Sequence, residues 1–338
     1  MDRDRDAPPY GPSDEENSTR PDVDSSDAHG HEADRPEPAP APGERPAAPH
    51  DLAGGPGDGP AAAATGDRWT PPVNRNLIYN NEEKWRIGRE FLTRYTGTEP
   101  EAFQKQIVLT NFAYYLERFQ ALAGDAEVTR GSAMSAAHSE RLGVSIIDFS
   151  IGSPVAALII EVLATADPKA TLFLGICGGL HRSLVVGDFV LPTAAIRDDG
   201  ASRHFMPPQV PALPTFKIQK FVSQIVVEHD LDYRTGVVHT TDYRFWEFDE
   251  AFKRRLYDER ALAIDMETAT LFSVGFASKV PIGALLLVSD LPLRRDGIKT
   301  RESARAVFRD HTDVHIEMGI RAMSEIAERG ESIRHYRW

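Results

Sequence analysis

At 338 residues the chain is long enough for one large domain or two smaller ones, and its formal net charge of −13 is concentrated in residues 1–66, where 15 acids face five arginines for a net of −10. The nearly neutral remainder has no dense Lys/Arg block, which argues against a nucleic-acid partner held through phosphates but leaves room for a small anionic ligand. Cys177 is the only cysteine, the start of the chain has no basic-then-apolar leader, and the late apolar run VPIGALLLVS (280–289) is too short to span a bilayer, so the expectation is a reduced, cytoplasmic protein with no membrane partner.

The first 66 residues hold 12 of the 24 prolines, and their larger apolar side chains are limited to Met1, Tyr10, Val23 and Leu52. Such a composition buries too little apolar surface to offset ordering entropy, which predicts a disordered acidic tail over 1–70. Order is expected to begin between Asp67 and Asn80, with a single catalytic domain over 75–338. EEKWRIGREFL after Asn81 reads as a helix with an Asn cap and acids in its first turn, broken by Gly97 and Pro100. Phe112, Tyr115, Leu116, Phe119 and Leu122 share one helical face.

From residue 144 short apolar runs alternate with helical stretches. VSIIDFS (144–150), TLFLGI (171–176), DFVLPTAAI (188–196), TGVVHTT (235–241), ALAID (261–265) and GALLLVSD (283–290) read as strands. Helices are expected from Pro154, near METAT, and from about Thr300 to Arg329. Almost continuous apolar strands between helices predict an α/β fold whose sheet is covered on both faces.

In such folds ligands gather at the carboxyl ends of strands, and four of these ends carry unusual residues. Gly152-Ser153-Pro154 is either a plain turn opening a helix or an anion site made of free N–H groups. GICGGL (175–180) offers backbone to a flat ligand, or is a tight strand-to-loop turn with Cys177 as a small buried residue; nothing basic precedes Cys177 in the strand to activate its thiol. TTDYRFWEFDE (240–250) crowds hydroxyls, an acid, an arginine and aromatics together, as a purine and a phosphate would require; its plainer reading is capping by Thr241 or Asp242 with Phe245 and Trp246 in the core. Asp290 closes an apolar strand, where desolvation raises a carboxyl pKa as a general acid needs, and Glu267 follows another such strand and could accept bonds from sugar hydroxyls. Each acid alone reads as a helix N-terminal charge or salt-bridge partner. Two at strand ends of one sheet favour a site. His311 and His315 in HTDVH have helical i, i+4 spacing, but lie on a C-terminal helix away from the strand ends and read as surface or packing residues, so no metal site is expected.

GICGGL, VGDFVLPTAAIRDDG, RTGVVHTTDYRFWE, AIDMETAT and VPIGALLLVSDLP, in that order, resemble the AMP nucleosidases, most of all the short form without a regulatory domain, from about residue 78 onward. The resemblance implies the purine nucleoside phosphorylase fold: a partly closed central mixed β-sheet flanked by helices, in a homo-oligomer, often a hexamer, with no cofactor. It implies that Asp290 protonates purine N7, that Glu267 holds ribose hydroxyls with Met266 packed on the sugar, and that Cys177, Gly178, Gly179, Thr241, Asp242, Trp246 and Ser289 line the substrate together with Gly152 and Ser153. Where bacterial purine nucleoside phosphorylases carry an Arg and a Ser for inorganic phosphate, this chain has Phe173 and Ile176, and their Gly-Asp-Pro signature is absent. Losing those donors favours water over phosphate as nucleophile. Arg244 is the candidate for a 5′-phosphate, with Arg203 and His204 as possible helpers. A phosphorylase, a hydrolase of unphosphorylated nucleosides and a non-catalytic nucleotide-binding regulator are the competing readings.

Overall fold

The computed structural model describes residues 82–330, all within one compact unit. The tail, the point where order begins and the Asn81 cap lie outside the described residues. In chain order the main elements are α1 (Glu82–Thr96), β1 (Gln106–Thr110), α2 (Ala113–Ala123), β2 (Val128–Arg130), β3 (Ser135–Ser139), β4 (Val144–Asp148), α3 (Ser153–Leu163), β5 (Ala170–Gly179) and β6 (Phe189–Asp198). There follow α4 (Phe216–Glu228), β7 (Tyr233–Thr241), α5 (Glu250–Asp258), β8 (Ala263–Asp265), α6 (Thr268–Ser278), β9 (Ile282–Asp290), α7 (Arg301–Asp310) and α8 (Thr312–Glu328).

The nine strands run in the order β2-β3-β4-β1-β5-β8-β7-β6-β9, and a further β5–β9 pairing closes the last five into a ring. β5 makes the junction. It runs parallel to β1 and β9, and its last residues, Gly178 and Gly179, pair antiparallel with Ile264 and Ala263 of β8. The sheet is therefore mixed and partly closed. Side chains alternate across it: in β9, Ala284, Leu286 and Val288 enter one core with α3 and α6, while Leu285 and Leu287 enter the other with α2, α4 and α8. This double cover explains why the strands read as unbroken apolar runs.

Three expectations need correction. Cys177-Gly178-Gly179 is strand rather than turn, because β8 supplies ladder partners that local sequence does not reveal. The helix drawn from Thr300 to Arg329 is two helices, broken at His311 (φ −130°). No proline or glycine causes the break; the His311 ring sits over Gly187, where a Cβ would lie only 2.6 Å from it. Finally, β1, the β2–β3 pair, α4 and α5 are elements the sequence reading did not place.

Candidate active site

The carboxyl ends of β5, β7, β8 and β9, with the segment after β1, surround a cavity of about 270 Å³. Asp290, the last residue of β9, pairs with Gly178 just past a β-bulge that skips Ser289, and is half-buried at the cavity wall. Ser289 Oγ donates to Asp290 Oδ1 at 2.6 Å, and Lys299 Nζ donates to Ser289 Oγ at 3.3 Å. Burial raises the proton affinity of Asp290; Ser289, Lys299 and Arg244 oppose that shift without cancelling it. The same burial lowers the pKa of Lys299.

Glu267 faces the same cavity from the end of β8 and is almost fully buried. Its Oε1 accepts the Gly152 N–H at 2.7 Å, so the anion at the head of α3 is the protein's own carboxylate. Gly152 has φ +102°, a conformation that favours glycine. Ser153 Oγ donates to the Met266 carbonyl at 2.8 Å, tying the same turn to the segment after β8. Burial, reinforced by the neighbouring Asp265, pushes the Glu267 pKa up to about 8. Asp265 is buried too, and accepts from Thr240 Oγ1 at 2.6 Å and from the Thr268 N–H at 2.8 Å. Asp290 and Glu267 are thus two desolvated carboxyls in the lining of one cavity.

Among the residues singled out in the sequence, the cavity gathers Cys177, Gly178, Thr241, Arg244, Trp246, Met266, Glu267, Ser289 and Asp290. Gly152 and Ser153 stand behind it, acting through Glu267 and Met266. Gly179 and Asp242 are not in its lining. A Cβ at Gly179 would meet Leu291 at 2.9 Å and Val288 at 3.0 Å, so this glycine serves packing. Asp242 Oδ2 accepts the Gly200 N–H at 2.7 Å, tying the end of β7 to the loop after β6. Neither Thr241 nor Asp242 caps a helix; Asp249 does, accepting from Ala251 and Phe252 at the head of α5. Trp246 is buried but Phe245 is exposed, so only one of that pair is core. Cys177 is buried and its thiol is pushed well above the ordinary range, which makes it inert lining.

Arg244 is half-exposed and pairs through Nη1 with Glu247 Oε1 at 2.8 Å. Arg203 and His204, in a short turn over Ala201–His204, do not line the cavity. Phe173 is buried in the core, whereas Ile176 presents an apolar surface to the cavity. His315 is buried away from the strand ends, bonded to Tyr115 Oη and the Leu285 carbonyl. The sequence reading missed Lys299, Asn111, Glu247 and Ile151, all in the lining, and counted Phe112 only as part of an apolar helix face. Lys299 and Asn111 lie outside any periodic run, so pattern carried no signal for either.

A family model, the phosphorylase superfamily, matches residues 108–321. The AMP nucleosidase of Escherichia coli strain K12 is 30% identical over an alignment of 286 positions that covers 72% of this chain and 59% of that protein, so the chain spans about three fifths of that relative's length. A guanosine phosphorylase of Halorubrum lacusprofundi is 29% identical over 145 residues, 43% of this chain and 60% of that protein. Among solved structures, an AMP nucleosidase from Bacteroides thetaiotaomicron VPI-5482 superposes with a TM-score of 0.63 at 39% identity, over 73% of this chain and 99% of that one. A uridine phosphorylase from Vibrio fischeri ES114, at 17% identity and a TM-score of 0.62 over 71% and 99%, shares the fold.

Proposed function

The chain belongs to the phosphorylase superfamily, and within it we propose that it hydrolyses the N-glycosidic bond of AMP to adenine and ribose 5-phosphate. The observation that carries this reading is the presence of Asp290 and Glu267 in the lining of one cavity whose β5 wall offers Ile176 where a phosphate nucleophile would need donors. The similarity to AMP nucleosidases supports the nucleotide substrate.

In this reading Asp290, whose proton affinity burial raises, gives a proton to purine N7 and makes adenine a better leaving group. Glu267, fixed by the Gly152 N–H, holds ribose hydroxyls as positive charge develops on the sugar. Arg244 binds the 5′-phosphate by exchanging its Glu247 partner for a phosphate oxygen. The reading also takes in a catalytic domain over 75–338 and a cytoplasmic homo-oligomer in purine salvage. Among the described residues no helix is long and apolar enough to cross a membrane.

The test incubates the full chain with AMP and with adenosine, each with and without inorganic phosphate, and separates the products. Adenine and ribose 5-phosphate from AMP without added phosphate are expected. Ribose 1-phosphate from adenosine, formed only when phosphate is added, would overturn the reading.

A further inference from the structure

Hydrolysis needs a place for water on the side of the ribose away from the base. Next to the main cavity lies a second, more polar one of about 400 Å³, and Asn111, directly after β1, lines both. Arg130, Ser132, Ser135, Asp148 and Ser150 also line the second. Asn111 also lies beside Glu267, whose proton affinity it lowers against the effect of burial. Its Oδ1 is buried and finds no donor among the described residues. A buried acceptor left unbonded is costly, and a ligand or water at the cavity would satisfy it.

Asp148, the last residue of β4, is the carboxylate of the second cavity. One oxygen accepts the Ser150 N–H at 3.1 Å; the other has no partner among the described residues. Sheet order fixes where these groups stand. β4, β1, β5 and β9 are successive neighbours, so Asp148 and Asp290 end strands three steps, about 14 Å, apart across the sheet. Asp290 is level with Gly178, roughly 13 Å further along β5 than Leu174, the level of Asp148. Asn111 stands between them. Inverting glycosidases set acid and base on opposite faces of the sugar, about 6.5–9.5 Å apart. An acid that protonates N7, two bonds beyond the glycosidic nitrogen, requires a wider separation.

We propose that Asn111 and Asp148 form the nucleophile side of the site: Asn111 Oδ1 orients the attacking water where the two cavities meet, and Asp148 accepts its proton. This rests on the hydrolytic reading above. The N9–C1′ bond breaks with its electron pair passing to the purine, whose N7 takes the proton of Asp290. The water oxygen bonds C1′, and one of its protons passes to Asp148. Exchange with solvent then returns Asp290 to the acid and Asp148 to the carboxylate.

Asp148→Asn is the decisive variant, because an asparagine preserves the side-chain acceptor for the Ser150 N–H while removing the base. Its kcat for AMP should fall by about 10²-fold or more, with KM little changed. Formate should restore part of the turnover of Asp148→Ala, which a merely structural role would not allow. Asn111→Ala should lower kcat more than it raises KM. An Asp148→Asn protein with kcat within about twofold of wild type overturns the inference and leaves the hydrolase reading standing. A wild type that releases base only when phosphate is added overturns both.

Discussion

Two buried polar clusters share strand β9 and differ in how completely they are bonded. Under α8, His315 is fully buried: its Nδ1 accepts from Tyr115 Oη at 2.7 Å, and its Nε2 donates to the Leu285 carbonyl at 2.9 Å. Burial lowers its pKa to about 4 and raises that of Tyr115, so both stay neutral with every ring nitrogen and hydroxyl partnered. Five residues further along, at Asp290, polar groups are desolvated but left incomplete. Asn111 Oδ1 and Glu247 Oε2 have no partners among the described residues, and Glu267 is held far from its ordinary pKa. A closed cluster stabilises the fold, while an open one stores the cost of desolvation where a substrate can relieve it.

The sharpest way to break the comparison is to neutralise Glu267. Above pH 8, where the Glu267 carboxyl is ionised, Glu267→Gln should lower kcat/KM for AMP by roughly 10³-fold, because an uncharged amide holds the developing positive charge poorly. It should also stabilise the protein. A carboxyl whose folded pKa is raised favours the fold at low pH and costs stability as pH climbs from its unfolded value, near 4.5, toward about 8. The variant's gain in melting temperature should therefore be several degrees at pH 8 and vanish near pH 5. A variant less stable than wild type at pH 8 would contradict the open-cluster reading.

His315→Ala is the mirror experiment. It should cost about 3 kcal/mol in denaturant unfolding, by leaving Tyr115 Oη and a core void unsatisfied, while the folded fraction keeps its kcat. With a folded pKa depressed to about 4, His315 contributes stability that is present above its unfolded pKa near 6.5 and lost as pH falls from there toward 4. Wild-type stability should drop over that window, more steeply than in the variant. A large loss of kcat in folded His315→Ala would erase the distinction between the clusters.

Arg244→Ala should raise KM for AMP about tenfold while barely moving KM for adenosine, since one charge-assisted bond is at stake. Equal effects on both substrates would move the phosphate site elsewhere. Smallest is Ser289→Ala, which removes the link between Lys299 and Asp290: kcat should change by less than about tenfold, with its pH dependence displaced because one of the bonds favouring ionised Asp290 is gone.

The contrast also shows what a sequence makes legible. The closed and covered parts could be read because burial leaves a pattern: β4, β5 and β9 are apolar runs, Pro154 marks the head of α3, and Asp290 and Glu267 interrupt apolar strands at their ends. β1 was missed because QIVLT is short, begins with a polar Gln106 and follows polar Gln104 and Lys105. The break at His311 depends on Gly187, and the pairing of Gly178 with β8 depends on chain folded back from more than eighty residues away. Asn111 and Lys299 enter the site through strand order and loop closure alone. No local period encodes either. Asp242 and Gly179 show the converse, since residues inside a strong motif can serve a loop contact or the packing of β5 instead of the cavity.

The central claim is that Asp290 is desolvated for chemistry and not for stability. The direct measurement is kcat for AMP in Asp290→Asn alongside its thermal unfolding. The account predicts a loss of roughly 10³-fold with an unfolding midpoint at or slightly above that of wild type. A variant that unfolds well below wild type, or that keeps most of its turnover, would contradict it.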